Sequence, residues 1–256
     1  EESLVDKDLR AYLVELVGTF TLVLLSASLV CAVKIRVAEG EPSIGLVSVA
    51  VGLGCLMAVL LTVTTRVYDG CLSPAVSIML WVTGRFTGKR AIMMSIVQVV
   101  GGVLAGWFIA LIFSDQVLRD SYAGTPHLQE SLRVDGKVTF GSLLAGVAIE
   151  TGLAFLFTLS LFVTVFDPKR LKMGGLLAGV SYTACVLIGY HLTGASVNPA
   201  RWAGTAIWQP TVAGLETKPV FDDHLIYWMG PIVGGLLAGI VYTSLIRPPE
   251  KPSVAK

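Results

Sequence analysis

Six long apolar runs, separated by charged or turn-rich segments, set the pattern of this chain. They cover residues 11–33, 44–65, 91–113, 140–166, 174–192 and 225–246. A helix needs about 20 apolar residues to cross the hydrocarbon core of a bilayer, and each run is close to this length. The pattern therefore predicts six transmembrane α-helices.

Two shorter apolar segments, 74–84 and 199–208, follow polar breaks at 66–73 and 193–198. About ten residues are too few to cross a bilayer. A short helix at membrane depth is tolerated only where protein surrounds it or where it lines a water-filled cavity. We therefore expect an all-α membrane protein with six transmembrane helices and two re-entrant half-helices.

The composition supports this class of protein. Of the 256 residues, 54% are hydrophobic and 14% are charged, which is too few charges for a soluble domain of this size. The net charge of +1 and the lack of a basic tract give no reason to expect a nucleic-acid partner. The four cysteines show no metal-binding spacing, so no metal site is predicted. The first run is long and has no cleavage site, so we expect a retained helix and not a signal peptide.

The two halves of the chain repeat each other. GGVLAG at 101–106 recurs as GGLLAG at 234–239, and Glu15 and Glu150 are each followed five residues later by Phe. With three spans in each half, the second copy must enter the membrane from the opposite face, as in an inverted repeat. We expect one channel-like domain over 1–256, with repeats at 10–113 and 140–247 joined by a loop at 114–138.

The distribution of basic residues predicts the orientation. If both termini are cytoplasmic, the inside segments hold twelve of the 19 Lys and Arg residues and the outside loops hold six, with Arg201 in the second re-entrant segment. Cytoplasmic loops are enriched in Lys and Arg. The loop 114–138 is then extracellular, and we expect an integral protein of the plasma membrane or the cell inner membrane.

Ser73 and Asn198 each precede a Pro-Ala pair at the start of a short segment. Ser and Asn cap free N–H groups, and Pro fits the first helical turn, so each site is a strong helix start. Two such starts facing each other put two positive dipole ends at one point, which small neutral solutes can pass but cations cannot. Asn198 is the only asparagine in the chain, and its amide can brace a loop and donate to a permeant.

Three further features now combine with these turns: SVNPAR at 196–201 with Gly194 before it, a Glu in the first and fourth spans, and WMGPIVGG at 228–235. Over residues 10–247 the chain resembles the major intrinsic proteins, the aquaporin and glycerol-channel family. The resemblance implies a right-handed six-span bundle with one pore per subunit, a homotetramer, and passive conduction without a cofactor.

The resemblance also assigns roles to individual residues. The two pore-motif turns are expected at Ser73, Pro74 and Ala75 and at Asn198, Pro199 and Ala200. The selectivity ring is expected at Leu53, Val186, Ala195 and Arg201. Ladders of backbone carbonyls map to Asp69, Gly70 and Cys71 and to Gly194, Ala195 and Ser196. Glu15 and Glu150 map to acids that brace the re-entrant loops through buried hydrogen bonds.

The chain departs from the family pattern at Ser73, where the family has Asn. Ser-Pro at this position resembles the X-intrinsic subgroup, but that subgroup usually has Cys after the arginine, where this chain has Trp202. A ring of Leu, Val, Ala and Arg should admit carbon-bearing solutes such as glycerol and urea. The expected function is a passive channel for small neutral solutes, namely glycerol, urea and hydrogen peroxide, and for water. Against this, Ala206, Tyr227 and Trp228 match water-type members, so a water-selective channel stays an alternative.

A coupled secondary transporter is the alternative from another class, because inverted repeats with broken helices occur there too. Glu15 and Glu150 would then be intramembrane acids that relay protons. No enzyme is expected, since the sequence shows no Ser-His pairing or HExxH motif. For His127, His191 and His224 we expect solvated or capping roles and not gating.

Overall fold

The computed structural model describes residues 4–42, 44–68, 70–167, 173–215 and 222–247. Its α-helices are α1 (Leu4–Ala38), α2 (Gly45–Thr64), α3 (Pro74–Val82), α4 (Gly88–Ile112), α5 (Asp115–Ser121), α6 (Phe140–Leu161), α7 (Gly174–Thr193), α8 (Pro199–Ala206) and α9 (His224–Val241). Helices α6 and α9 continue as wider π-helical turns, Phe162–Phe166 and Tyr242–Ile246. The described residues form no β-strand.

Six of these helices, α1, α2, α4, α6, α7 and α9, are long and apolar enough to cross a membrane. They confirm the six predicted spans. The largest difference is at the amino-terminal end of α1, which begins at residue 4 and not at residue 11. The charged residues there end the apolar run but do not end the helix, so its 35 residues extend about 52 Å, beyond a hydrocarbon core of roughly 30 Å.

The two short segments form the predicted half-helices. Helix α3 begins at Pro74 and α8 begins at Pro199, as the Ser-Pro and Asn-Pro turns predict. Each ends two residues earlier than expected, at Val82 and Ala206. The fold is therefore all-helical, with six spans and two half-helices.

The first and third spans of each half cross at a glycine. A side-chain carbon at Gly101 in α4 would collide with Leu16 O in α1, and one at Gly234 in α9 would collide with Thr151 O in α6. These are the glycines of the repeated GGVLAG and GGLLAG segments. The same close approach of backbones is thus built twice, once in each half.

Each half-helix packs against the third span of the other half. Gly102 in α4 leaves room for the backbone of α8, since a side-chain carbon there would lie 2.6 Å from Ala200 O. Gly235 in α9 faces α3 in the same way, with Ala75 O 3.4 Å from the corresponding position. The halves are therefore interlocked through their half-helices.

The segment between the halves is ordered and packs on the bundle. It was predicted as a polar loop at 114–138, but it contains α5 and two 3₁₀ turns, Tyr122–Gly124 and Glu130–Leu132. Leu118 and Leu128 within it are fully buried. These buried side chains fix the loop against the ends of the spans.

Candidate pore and its two turns

The two turns that start the half-helices have the same backbone conformation. Ser73 and Asn198 are extended, with φ of −154° and −145°. The residues before them, Leu72 and Val197, are left-handed, with φ of 54° and 57°. Branched residues seldom adopt a positive φ. The shared geometry therefore indicates one turn folded twice under the same constraint.

That constraint comes from two glutamates. Glu15 in α1 accepts hydrogen bonds from the backbone N–H groups of Cys71 and Leu72, at 2.8 and 2.9 Å. Glu150 in α6 accepts from those of Ser196 and Val197, at 2.9 and 2.7 Å. Both carboxyl groups are fully buried. Each re-entrant turn is thus tied to the first span of its own half.

A third donor completes each glutamate site, and here the halves differ. Glu15 accepts from the side-chain amide of Gln98 in α4, which also pairs with Ser77 in α3. Glu150 accepts from the hydroxyl of Thr193 at the end of α7, at 2.6 Å. Both acids therefore have three donors, as bracing groups would require.

The two turns also meet each other, through the side chain of Asn198. Its Oδ1 accepts from the N–H of Ala200 at 2.9 Å and caps α8. Its Nδ2 donates to Leu72 O in the first turn at 2.6 Å. Ser73 makes no side-chain cap, and its buried hydroxyl has no hydrogen-bond partner in the part of the chain that the structure describes. The first turn therefore presents an unsatisfied hydroxyl where the second presents a bound amide.

Replacing Ser73 by Asn is expected to stabilise the protein. An amide at this position can cap α3 as Asn198 caps α8, and a missing helix cap is worth about 0.5–2 kcal/mol. Thermal unfolding in detergent should show a higher midpoint for Ser73→Asn and a lower one for Asn198→Ser. A lower midpoint for Ser73→Asn would mean that the first turn has no room for an amide.

Arg201 lies in the first turn of α8 and is 2% exposed. Its Nη1 donates to Ala195 O at 2.9 Å, with Gly194 O at 3.4 Å, and its Nε donates to Ser26 Oγ in α1 at 3.4 Å. Gly194 and Ala195 are both left-handed, with φ of 77° and 46°. This pair of residues turns its carbonyl groups toward the guanidinium and fixes its position.

The other positions expected in the ring are buried apolar residues. Leu53 in α2 and Val186 in α7 are fully buried and belong to the same large apolar cluster as Ala195. Ala195 in turn holds Arg201. That the four residues form one ring stays a prediction.

The carbonyl-ladder positions are described in part. Asp69 lies outside the described residues. Gly70 packs tightly against Thr64, and Cys71 is buried with its N–H on Glu15. In the second turn, Ser196 donates its hydroxyl to Asn198 O at 2.9 Å. No contact of the described residues assigns the carbonyls of Gly70 and Cys71 to the pore, so this part stays a prediction.

A comparison with known protein families identifies the family of this chain. The sequence model of the family described as "Major intrinsic protein" matches residues 3–242. The chain belongs to the major intrinsic protein family. Members of this family are channels for water and small solutes and are not enzymes, so the chain is a passive membrane channel.

Individual relatives of this major intrinsic protein agree over nearly its whole length. Aquaporin TIP4-4 of Zea mays is 36% identical over 239 residues, which cover 92% of this chain and 86% of that protein. Aquaporin Z of Photorhabdus laumondii is 30% identical, with 93% and 97% covered. The X-ray structure of the aquaglyceroporin from Plasmodium falciparum superimposes with a TM-score of 0.77 at 19% identity, covering 93% and 97%, which shows a shared fold.

In this major intrinsic protein a cavity of about 370 Å³ borders Arg201 and Gly194. We call it the connecting-loop cavity, because most of its wall comes from the connecting segment, including Tyr122, Pro126 and His127. The sequence predicted solvated or capping roles for the histidines and not a place in the wall of a cavity. His127 and also His191 line the cavity, although no sequence motif marks them.

His127 is held in the wall as a neutral ring. Its ring centroid lies 4.3 Å from that of Tyr122, and its Nδ1 lies 3.2 Å from Thr125 O. Burial lowers the pKa of the His127 imidazole, and the positive charge of Arg133 acts in the same direction. The residue therefore contributes a polar but uncharged surface beside Arg201.

Trp202, which stands where the X-intrinsic subgroup usually has Cys, is a packing residue. Its ring stacks on Tyr227 in α9 at 5.7 Å, in a buried cluster with Leu128 and Ala206. The Tyr227 hydroxyl donates to Thr193 O at 2.8 Å. The aromatic pair thus joins α8 and α9 to the end of α7.

Proposed function

We propose that this major intrinsic protein conducts small neutral solutes, with glycerol, urea and hydrogen peroxide as candidates, together with water. The proposal depends on one observation. Arg201 is held at Ala195 O beside a buried apolar cluster that contains Leu53 and Val186. Such a constriction has one charged donor group and apolar walls.

The chemistry of that constriction favours a solute with two faces. The hydroxyl groups of a polyol can bond to Arg201 while its C–H groups lie against Leu53 and Val186. A water molecule at the same point loses hydrogen bonds that apolar walls cannot replace, and an unmade hydrogen bond to a buried polar group costs about 1–3 kcal/mol. The ratio of solute permeability to water permeability should therefore be higher in this ring than in a ring of polar and aromatic groups.

The two turns support conduction of neutral species. The amino-terminal ends of α3 and α8 are joined by the bond from Asn198 to Leu72 O. Helix amino termini carry partial positive charge, so two of them at one point oppose cations and protons. The unsatisfied hydroxyl of Ser73 adds a group that a passing solute could bond.

The contacts also weigh against the two alternatives. Glu15 and Glu150 each bind three donors, which supports fixed braces over the proton relay of a coupled transporter. Ala206 and Tyr227, which suggested a water-selective channel, belong to the packing cluster of Trp202. Their match to water-type members therefore concerns helix packing.

We extend the proposal to the arrangement in the membrane. The chain is a single channel domain of repeats 10–113 and 140–247, with cytoplasmic termini and an extracellular loop 114–138. The excess of Lys and Arg in the inside segments supports this orientation. A homotetramer in the plasma or cell inner membrane is part of the same proposal, which the family resemblance supports.

Stopped-flow light scattering on proteoliposomes tests the proposed substrate class. Vesicles are challenged with an impermeant osmolyte, or with glycerol or urea, and compared with protein-free vesicles. Fast re-swelling in glycerol is the expected result, and it should persist when a proton gradient is collapsed. Fast shrinkage without glycerol influx would indicate a water-selective channel, and loss of flux with the gradient would indicate coupled transport.

Narrowing the ring should reverse the preference. The double replacement Leu53→Phe and Val186→His is expected to lower the ratio of glycerol to water permeability, because it adds bulk and a second polar group beside Arg201. The matched control places Phe at Val51 and Leu187, which are 47% and 40% exposed on the same two helices. An unchanged ratio in the ring variant would remove Leu53 and Val186 from the constriction.

A further inference from the structure

A buried ion pair lies between the connecting segment and the start of α9. Arg133 Nη2 is 3.1 Å from Asp223 Oδ2, and the two side chains are 2% and 0% exposed. Removing two charges from water carries a large desolvation cost, so a buried pair is weak grounds for stability alone. The pair matters here because it fixes the position of the backbone that it binds.

The pair grips both backbone groups of one residue. The N–H of Leu128 donates to Asp223 Oδ2 at 2.7 Å, and Leu128 O accepts from Arg133 Nε at 3.0 Å. The N–H of Gln129 donates to Leu192 O in α7 at 2.9 Å. The chain at 128–129 is therefore fixed to α9 and to the end of α7.

The residues just before this grip form the wall of the connecting-loop cavity. Pro126 and His127 both line it. They also pack directly on Gly194, where a side-chain carbon would lie 2.9 Å from Pro126 Cα. Gly194 O in turn faces Arg201. His127 directly precedes Leu128, so the grip adjoins the wall of the cavity that borders Arg201.

We propose that Arg133 and Asp223 are positioning residues for permeation, which hold Pro126 and His127 over the approach to Arg201 and so set the width of that mouth. The inference rests on the proposed function only in that conduction passes Arg201. It does not depend on which solute is preferred. Neither residue stands in the turns or in the expected ring.

The protonation of Asp223 should make the stability of this contact depend on pH. Burial raises the pKa of the Asp223 carboxyl group to about 7, aided by the nearby charge of Asp222, while the Leu128 N–H and Arg133 act in the opposite direction. Glu130 lies 3.6 Å from Arg133, and Tyr227 and His224 follow on α9. Above about pH 7 the charged pair is intact. If the grip opens, Asp223 meets water and its pKa returns toward the ordinary value of 3.8. The closed grip therefore binds the proton more tightly than the open one, and opening becomes less favourable as the pH falls below about 7.

Asp223→Ala tests the inference, because it removes both the acceptor of the Leu128 N–H and the partner charge of Arg133. In proteoliposomes it is expected to raise the permeability to larger polyols several-fold relative to water. It should also abolish the pH dependence that the wild-type ratio shows around pH 7. Asp115→Ala is the matched control, since it makes the same change at an exposed position of the connecting segment. Arg133→Lys should retain only part of the wild-type discrimination.

A measurement on the unaltered protein covers the case in which the variants fail to fold. Amide hydrogen exchange, corrected for its intrinsic pH dependence, should show protection at Leu128 and Gln129 that rises as the pH drops through about 7. Wild-type solute flux with an unchanged ratio in Asp223→Ala would overturn the inference and leave the proposed function standing. Constant protection across this pH range would overturn it as well. If glycerol does not pass at all, the proposed function fails, and the pH profile of water flux still tests the grip.

Discussion

Replacing Arg201 by Val is expected to raise glycerol permeability by about tenfold, which corresponds to a barrier lower by roughly 1.4 kcal/mol. The guanidinium is almost fully buried and is fixed by Ala195 O and Ser26 Oγ. In the proposed function it forms the charged side of the constriction. Its removal widens the constriction and takes away its positive charge. Larger polyols should then pass, and cation exclusion should weaken. The readouts are polyol re-swelling rates and ion conductance of the same vesicles.

Two further proteins make the Arg201 result interpretable. Arg201→Lys should lie between wild type and Arg201→Val, since an ammonium keeps the charge but lacks the separate Nη1 and Nε donors that reach Ala195 O and Ser26 Oγ. Arg36→Val removes an exposed arginine from the end of α1 and should leave the polyol rates unchanged. If Arg201→Val behaves like Arg36→Val, the limiting constriction lies elsewhere.

Replacing Glu150 by Leu is expected to have the largest effect on stability. The carboxyl group accepts from the N–H groups of Ser196 and Val197 and from the hydroxyl of Thr193, all in a fully buried site. A buried donor without a partner costs about 1–3 kcal/mol, so the two backbone groups alone cost about 2–6 kcal/mol. The yield of monodisperse protein and the midpoint of thermal unfolding should both fall steeply.

Glu15 in the first half of the chain is the residue to compare with Glu150 in the second half. Glu15→Leu should be about as damaging, because Glu15 holds the N–H groups of Cys71 and Leu72 in the same way. Glu150→Gln should be milder, since one oxygen remains as an acceptor. Glu130→Gln changes an exposed acid, 75% accessible, and should be close to neutral. A midpoint for Glu150→Leu near that of Glu130→Gln would show that the second turn holds its shape without the brace.

The elements that the sequence predicts well are those with a local signal. The half-helices start at Pro74 and Pro199 as expected, because a polar cap before Pro acts over a few residues. Their ends at Val82 and Ala206 carry no such signal, and both were placed two residues too late. The start of α1 was missed because charges limit an apolar run without breaking a helix.

The contacts that shape the pore could not be predicted in the same way. The bond from Asn198 to Leu72 O and the pair of Arg133 with Asp223 join residues that are 126 and 90 positions apart. Nothing in the local sequence of either partner names the other. Trp202 illustrates the same limit, because the sequence marks it only as a departure from the X-intrinsic pattern, while its stacking on Tyr227 depends on how α8 meets α9.

The exchange of half-helices between the two halves bears on how the protein is made. Gly102 in the first half receives α8 of the second, and Gly235 in the second half receives α3 of the first. Until α9 has left the ribosome, α3 therefore lacks part of its final packing surface, whereas Glu15 can already grip its turn. The nascent chain should insert as a braced but incomplete first half, and the permeation path should close into its final form only when the last span arrives.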